Sequence, residues 1–259
     1  MTDEAAIRPR RYSVATPTGS ASLVFDKSIL TSRRPLVVLF HGAFRAAISL
    51  VSWFERLDPL ADVVIGELPG HGKAPRITPT LEAYSRLFES ALMAHFQGRP
   101  MVLVGESLGG LVAASLSHLG PVVALDPPLT TAKLWPLHLT IRRRREEDPT
   151  FNYDAEFASN FFGYKDDGPP AQRSYFHLFE TLASPAWVVA GGVPLSPPRF
   201  VETTPGFLEP PDLDRLRKAP GVTVHVAAEA GHLITTEAPE LALSTIGEAL
   251  AYLRTKPAS

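Results

Sequence analysis

The sequence of 259 residues contains no cysteine. This absence excludes disulfide bonds, cysteine nucleophiles and cysteine-ligated zinc sites. Stability must therefore come from packing and hydrogen bonds within the chain. Hydrophobic residues make up 45% of the sequence, which is enough for a large core, and an α/β chain of this length commonly forms one domain.

The sequence also lacks an excess of charge and any long apolar run. Its 25 Lys and Arg nearly balance its 27 Asp and Glu, and the basic run Arg142 to Arg145 is followed at once by Glu146 and Glu147, a pattern typical of a solvated helix surface. We therefore expect no nucleic-acid partner.

No run approaches the roughly 18 apolar residues of a membrane-spanning helix, and residues 1–11 lack the apolar centre of a signal peptide. These absences predict no membrane association and a cytoplasmic location.

Apolar runs that are typical of strands alternate with patterns of helical spacing along most of the chain. The predicted strands end at Phe40, Ile65, Val104, Leu125, Ala190 and Ala228, and the predicted helices span about 48–57, 80–96, 107–118 and 239–253. An opening hairpin is predicted around the turn at residues 17–20. This alternation predicts an α/β fold with a mainly parallel sheet covered on both faces.

A serine lies at the apex of a predicted strand–turn–helix, in the segment Gly105-Glu106-Ser107-Leu108-Gly109. A serine hydroxyl is a weak nucleophile, and a tight turn of this kind exposes its oxygen to a substrate and a base. The five-residue pattern alone also occurs in simple Gly-Ser loops. Here the buried-strand run 101–104 and the helical spacing of Leu108 and Leu111 favour a nucleophile.

Two further segments carry residue types that a serine nucleophile needs. The strand ending at Phe40 runs directly into His41-Gly42-Ala43-Phe44, where the glycine permits a bend that could aim backbone N–H groups inward. Near the other end of the chain, His232 follows a predicted strand at 222–228 and precedes a helix that starts near Pro239. A histidine is thus available as a general base.

These segments, together with Glu67 to Ala74, occur in an order and spacing that resemble the α/β-hydrolase superfamily, specifically its esterase-like members with a small lid. The resemblance implies a mainly parallel central sheet flanked by helices, with an inserted helical lid. It further implies that Ser107 is the nucleophile, that His232 is the general base, and that the backbone N–H groups of Ala43 and Leu108 form the oxyanion hole. Phe44 is the neighbouring alternative to Ala43.

The acid of the expected triad departs from the usual pattern of that superfamily. Most members carry it after the penultimate parallel strand, but here residues 191–196 contain no carboxylate, and the next acid is Glu202. Asp126 stands at the end of the strand that closes at Leu125, a position that a minority of the superfamily uses. We therefore predict Asp126 as the acid, with Glu202 or a Ser-His dyad as the alternatives.

The segment from residue 129 to 184 breaks the alternation of strands and helices and is rich in aromatic residues. Its position matches the lid of the resembled superfamily, so we predict a core of residues 1–128 and 185–259 with a lid at 129–184. The aromatic rings would line a substrate pocket or attach the lid to the core. They are Trp135, Phe151, Tyr153, Phe157, Phe161, Phe162, Tyr164, Tyr175, Phe176 and Phe179.

The predicted function is hydrolysis of a small or medium carboxylic ester through an acyl-enzyme intermediate, with a small-molecule ester as the substrate. It needs no metal or cofactor, and no His-Glu-x-x-His motif occurs. One alternative is a carbon–carbon bond hydrolase or lyase, which would need cationic or polar groups facing Ser107 from the lid. Arg142 to Arg145 would supply one only if that run turns inward. The other is a non-catalytic ligand-binding protein, favoured by the missing acid after Ala190.

Overall fold

The computed structural model describes residues 8–147, 152–198 and 202–255. Within these ranges eight strands form one sheet in the order β1-β2-β4-β3-β5-β6-β7-β8. The strands are β1 (Arg10–Thr16), β2 (Gly19–Phe25), β3 (Leu36–Phe40), β4 (Asp62–Glu67), β5 (Met101–Glu106), β6 (Val122–Leu125), β7 (Ala186–Gly191) and β8 (Val222–Ala227). The pairs β1–β2 and β2–β4 are antiparallel, and all the other pairs in this sheet are parallel. The predicted α/β fold is confirmed.

Helices lie on both faces of the sheet. They are α1 (Trp53–Leu57), α2 (Leu81–Phe96), α3 (Leu108–Ser115), α4 (Trp135–Glu147), α5 (Asn152–Phe162), α6 (Phe176–Glu180), α7 (Pro210–Lys218), α8 (Ile234–Glu237) and α9 (Pro239–Thr255), with 3-10 helices at Lys27–Thr31 and Ala47–Leu50. No helix in the described part of the chain is long and apolar enough to cross a membrane.

Side chains of the central strands alternate between two hydrophobic clusters. In β3, Val38 and Phe40 join the cluster that contains α2 and α3, whereas Val37 and Leu39 join the cluster that contains α1 and α9. All of β3 is buried, because a parallel strand covered on both faces has no solvated side. Each fully buried side chain of this kind stabilises the fold by about 1.5–3 kcal/mol relative to exposure.

Two local predictions differ from the structure. The single helix predicted over 48–57 is a 3-10 helix at Ala47–Leu50 followed by the short α1, which is consistent with the low helix propensity of the β-branched Ile48 and Val51. Helix α7 was not predicted, because a pair of prolines is more typical of a loop than of a helix. Pro210 instead occupies the first helical position, where no N–H is needed, and Glu209 with Asp212 forms a capping box.

The segment predicted as a lid contains α4, α5 and α6 and connects β6 to β7. An isolated bridge between Thr130 and Ser174 connects the start of this segment to the residues just before α6. Several of its aromatic rings are buried against the core, as shown by the ring of Phe161, whose centroid lies 5.2 Å from that of Tyr84 on α2. These rings therefore attach the segment to the core. Residues 1–7 and Phe151, on which parts of the signal-peptide and lid predictions rest, lie outside the described residues, as does the side chain of Tyr153.

Candidate active site

Ser107 lies in the turn between β5 and α3 with φ 57° and ψ −121°, a combination that non-glycine residues rarely adopt. Such strain costs on the order of 1–3 kcal/mol and persists only where the surroundings impose it. The turn is tight enough that a Cβ on Gly105 would overlap the carbonyl oxygen of Gly109, and one on Gly109 would overlap that of Phe40. Both glycines are therefore required for the backbone path that presents Ser107.

His41 organises the turn that follows β3. Its Nε2 accepts the backbone N–H of Leu68 at 3.0 Å, so the proton of the neutral ring is on Nδ1, which donates to the carbonyl of Gly42 at 2.8 Å. Burial lowers the pKa of His41 to about 3, which keeps the ring uncharged and this hydrogen-bond pattern intact at neutral pH. His41 thus has a structural role in the turn.

The turn itself brings Ala43 and Phe44 beside Ser107. The Arg45 N–H donates to the Gly42 carbonyl at 3.3 Å, and Phe44 has φ 60° at the third position of this turn, where glycine or asparagine is preferred. A Cβ placed on Gly42 would lie 3.2 Å from the Ser107 Cβ. The backbone of this turn and the serine are therefore in direct contact.

The second predicted oxyanion donor is the N–H of Leu108, the first residue of α3. The N–H groups of a first helical turn have no acceptor within the helix and carry the positive end of its dipole. Leu108 directly follows Ser107 in the chain, and the turn after β3 lines the same cavity as Ser107. This arrangement suits a negatively charged oxygen.

His232 and Asp126 are hydrogen-bonded to each other. The Nδ1 of His232 lies 2.7 Å from Oδ2 of Asp126, whose carboxylate is completely buried. That carboxylate also accepts the N–H groups of Phe207 at 2.7 Å and Gly191 at 3.2 Å. The Phe207 ring stacks on the His232 ring with centroids 3.5 Å apart. The imidazole is therefore held on one edge and one face, which directs Nε2 away from Asp126.

Asp126 has φ 46° at the end of β6, and its N–H donates to the Val189 carbonyl of β7 at 2.7 Å. The strand end and its pairing with β7 aim the carboxylate toward the loop that carries His232. Glu202, the alternative acid, is exposed and lines a neighbouring cavity with Trp135 and Arg143. The structure therefore brings Asp126, and not Glu202, to His232.

Ser107 and His232 line one cavity of about 390 Å³. The turn after β3 forms part of its wall, and Leu137, Thr140 and Arg144 of α4 cover it. A second cavity of about 480 Å³ adjoins the first and shares three lining residues with it. The shared residues are Pro136, Thr140 and Thr204.

The other buried histidine near the site, His71, is kept neutral by its surroundings. Its Nδ1 lies 3.1 Å from the Pro69 carbonyl, its ring centroid is 5.5 Å from that of His41, and burial lowers its pKa. Among the described residues, no group of three or more His, Asp or Glu side chains could hold a metal ion. His71 therefore belongs to the packed support of the turn.

Comparison with known proteins identifies the family. A family model described as "Alpha/beta hydrolase family" matches residues 37–244, which is well over half of the chain. The chain belongs to the α/β hydrolase family. The resemblance inferred from its motifs is thereby confirmed. No curated protein matches the sequence.

Solved structures share the fold of this α/β hydrolase at low sequence identity. An esterase from Thermogutta terrifontis is 22% identical, with 96% of this chain and 100% of that chain covered and a TM-score of 0.64. An esterase from Pyrococcus furiosus is 15% identical, with 95% and 91% covered and a TM-score of 0.69. An N-formylmaleamic acid deformylase from Pseudomonas putida is 17% identical, with 92% and 100% covered and a TM-score of 0.62. These similarities establish the hydrolase fold.

Glu106 is a residue of the site that sequence reasoning missed. Its side chain is buried, forms an ion pair with Arg45, and accepts from the Thr235 N–H at 2.8 Å and the Thr235 hydroxyl at 2.6 Å. In this α/β hydrolase one carboxylate thus joins the serine turn, the turn after β3 and the helix that follows His232. A charged residue in an otherwise apolar strand was the only sequence signal of this role.

Replacing Glu106 with glutamine should lower the free energy of unfolding by about 1–3 kcal/mol. Glutamine keeps an acceptor for Thr235 but leaves the largely buried Arg45 guanidinium without its counter-charge. Urea unfolding of the wild-type and variant proteins measures the difference. The matched control is Arg56→Gln, which breaks an exposed pair with Glu240 and should change stability by less than about 0.5 kcal/mol. Equal effects of the two substitutions would contradict the assigned role.

Proposed function

We propose that this α/β hydrolase cleaves small or medium carboxylic esters through an acyl-enzyme intermediate. The observation that carries the proposal is the shared cavity of Ser107 and His232, with His232 held by the buried Asp126 at 2.7 Å. A strained serine, an oriented imidazole and a buried carboxylate together meet the requirements of acyl transfer. The two esterases of the same fold agree with this assignment.

In the first half-reaction, His232 Nε2 takes the proton of the Ser107 hydroxyl as its oxygen attacks the ester carbonyl. The N–H groups of Ala43 and Leu108 stabilise the oxyanion of the tetrahedral intermediate, and Asp126 stabilises the imidazolium without being protonated. When the intermediate collapses, His232 donates the proton to the leaving alcohol and the acyl group stays on Ser107. A water molecule, deprotonated by His232, then releases the acid and restores the serine.

The size of the cavity supports a small or medium ester. Its volume of about 390 Å³ lies at the low end of the roughly 300–1,000 Å³ of small-molecule sites. We further propose that residues 129–184 act as the lid over a core formed by 1–128 and 185–259. Helix α4 covers the cavity, and the ring of Phe157 on α5 lies 5.7 Å from that of Phe44.

Carbon–carbon bond hydrolysis or lyase chemistry is the second candidate, and one specific observation favours it. Such reactions on diketone-like acids would need a cationic or polar group facing Ser107 from the lid, and Arg144 of α4 lines the same cavity as Ser107. A non-catalytic binding role has less support. The argument for a binding role is the absence of an acidic residue after β7. Asp126, at the end of β6, supplies a carboxylate to His232 in its place.

The proposal is tested with p-nitrophenyl esters of increasing acyl length and with diketone acids as the comparison series. We expect kcat/KM to be highest for short or medium acyl chains and to fall once the chain exceeds the cavity. Faster turnover of the diketones would favour the second candidate. Absence of turnover for every ester and diketone, with saturable binding of one of them, would favour the binding role.

A further inference from the structure

The loop that carries His232 packs directly against the loop that follows β7. A Cβ placed on Gly231 would overlap the carbonyl oxygen of Thr204. The same carbonyl accepts the backbone N–H of His232 at 2.8 Å. The position of the His232 backbone therefore depends on where Thr204 and its neighbours lie.

Residues 203–207 of the loop after β7 also contact the ring of His232 and its carboxylate partner. The Phe207 ring stacks on the imidazole, and the Phe207 N–H donates to the same Asp126 oxygen that lies beside His232 Nδ1. A shift of residues 203–207 would therefore disturb the backbone, the ring and the hydrogen-bond partner of His232 together.

Glu237, the last residue of α8, joins these two loops through its carboxylate. One carboxylate oxygen accepts the Thr203 hydroxyl at 2.5 Å, and the other accepts the Gly231 N–H at 2.7 Å. Thr203 directly precedes Thr204, and Gly231 directly precedes His232. A single side chain therefore holds the residues on both sides of the backbone bond between His232 and Thr204.

The contacts of Glu237 depend on hydrogen-bond geometry and not on an ion pair, because both of these donors are uncharged. A glutamine at this position could accept the Gly231 N–H with its oxygen and donate its NH₂ to the Thr203 oxygen, since a hydroxyl accepts as well as donates. An alanine could form neither bond. The two substitutions therefore separate the effect of the hydrogen bonds from the effect of the charge.

We infer that Glu237 is a positioning residue that holds His232 in place for proton transfer with Ser107. The inference rests on the proposed roles of Ser107 and His232 as nucleophile and base. Glu237 is not among the described residues that line their cavity, so its loss should slow proton transfer and leave substrate binding unchanged. Catalysis is sensitive to such a change, since a displacement of about 1 Å can lower a rate on the order of 10²-fold.

The test measures two quantities in the wild-type protein, Glu237→Ala and Glu237→Gln. The first is kcat and KM for the best p-nitrophenyl ester, with kcat expressed per serine that a fluorophosphonate probe labels at completion, so that misfolded protein is not counted. The second is the rate constant of this labelling, which requires an activated Ser107 but no ester.

Glu237→Ala should lower kcat and the labelling rate constant by about 10- to 100-fold, with KM changed less than about twofold. Glu237→Gln should keep both rates within about threefold of the wild-type values, because it can restore both hydrogen bonds. Thr203→Val removes one of the two donors, and both of its rates should lie between those of the Glu237 variants.

The matched control is Glu240→Ala. Glu240 lies three residues further along the chain, in the first turn of α9, and pairs with Arg56 at the surface. Its replacement should leave kcat, KM and the labelling rate constant at wild-type values.

Wild-type kcat per labelled serine in Glu237→Ala would overturn the inference, since Glu237 would then only stabilise the fold. If that variant does not fold, wild-type rates in Thr203→Val would overturn it. A rise in KM at unchanged kcat would contradict it as well, and so would an equal loss of kcat in Glu237→Gln or in Glu240→Ala.

Failure of the wild-type protein to hydrolyse any ester would contradict the proposed ester hydrolysis. The labelling rate constants would still test whether Glu237 positions His232, because labelling needs no ester. The two failures are thus distinguishable. A wild-type protein that the probe does not label at Ser107 would contradict both proposals.

Discussion

Ser107→Ala should abolish nearly all ester hydrolysis, with kcat falling on the order of 10⁴-fold or more. The substitution removes the oxygen that would form the acyl-enzyme, so only binding and the oxyanion donors remain to accelerate direct attack by water. The measurement is kcat for the best p-nitrophenyl ester with wild-type and variant protein. A fluorophosphonate probe, detected by mass spectrometry, should label the wild-type protein at Ser107 and leave the variant unlabelled.

The matched control for this substitution is Ser13→Ala. Ser13 is exposed on β1 and hydrogen-bonded to Ser20, at the far edge of the sheet from the cavity, so its loss should leave kcat and probe labelling at wild-type values. Since alanine can follow the same backbone path as serine, Ser107→Ala should also keep the wild-type circular dichroism spectrum. Retention of more than a few per cent of kcat by a folded Ser107→Ala protein would rule out Ser107 as the nucleophile.

Asp126→Asn should lower kcat by about 10³- to 10⁴-fold. The carboxylate accepts from His232 and from two backbone N–H groups, and an asparagine side chain has a single acceptor oxygen. If that oxygen takes the place of Oδ1 and keeps the Gly191 N–H, the amide NH₂ replaces Oδ2 and faces the imidazole. It then favours the tautomer with its proton on Nε2, which prevents His232 from acting as the base, and it leaves the Phe207 N–H without its acceptor. Asparagine is the suitable replacement because it tolerates the positive φ of residue 126.

Glu202→Gln is the paired variant that decides between the two candidate acids. Glu202 is exposed and lines the adjoining cavity, so this substitution should change kcat less than about twofold. The same p-nitrophenyl ester serves for both variants, and urea unfolding checks that each is folded. A large loss in Glu202→Gln with a small one in Asp126→Asn would move the acid to the loop after β7.

The strands were predictable because their signal is local. A buried parallel strand is a short apolar run, and its end is marked by the first polar or glycine residue, so β3 ends at Phe40 as predicted. Predicted ends of β5 and β8 differ from the observed ends by two residues or fewer. The missed α7 carries few apolar residues and begins with two prolines, so its capping box was the only available signal.

The residues of the candidate site also divide into those with a local sequence signal and those without one. Ser107 and His41 lie in short motifs whose neighbouring glycines indicate a tight backbone turn. Glu106, Arg144 and Phe207 have no such local pattern. Their roles arise from contacts with segments distant in the chain, such as the bond from Thr235 to Glu106 and the Phe207 ring on His232.

The sequence by itself determined the alternation of strands and helices, and with it the fold, because the burial of apolar side chains follows a short period along the chain. It also determined the serine turn. Only the tertiary structure decided that Asp126, rather than Glu202, meets His232, because that choice depends on the pairing of β6 with β7. The tertiary structure likewise decided the place of Arg144, since only the packing of α4 over the cavity determines which of four adjacent arginines lines the cavity of Ser107.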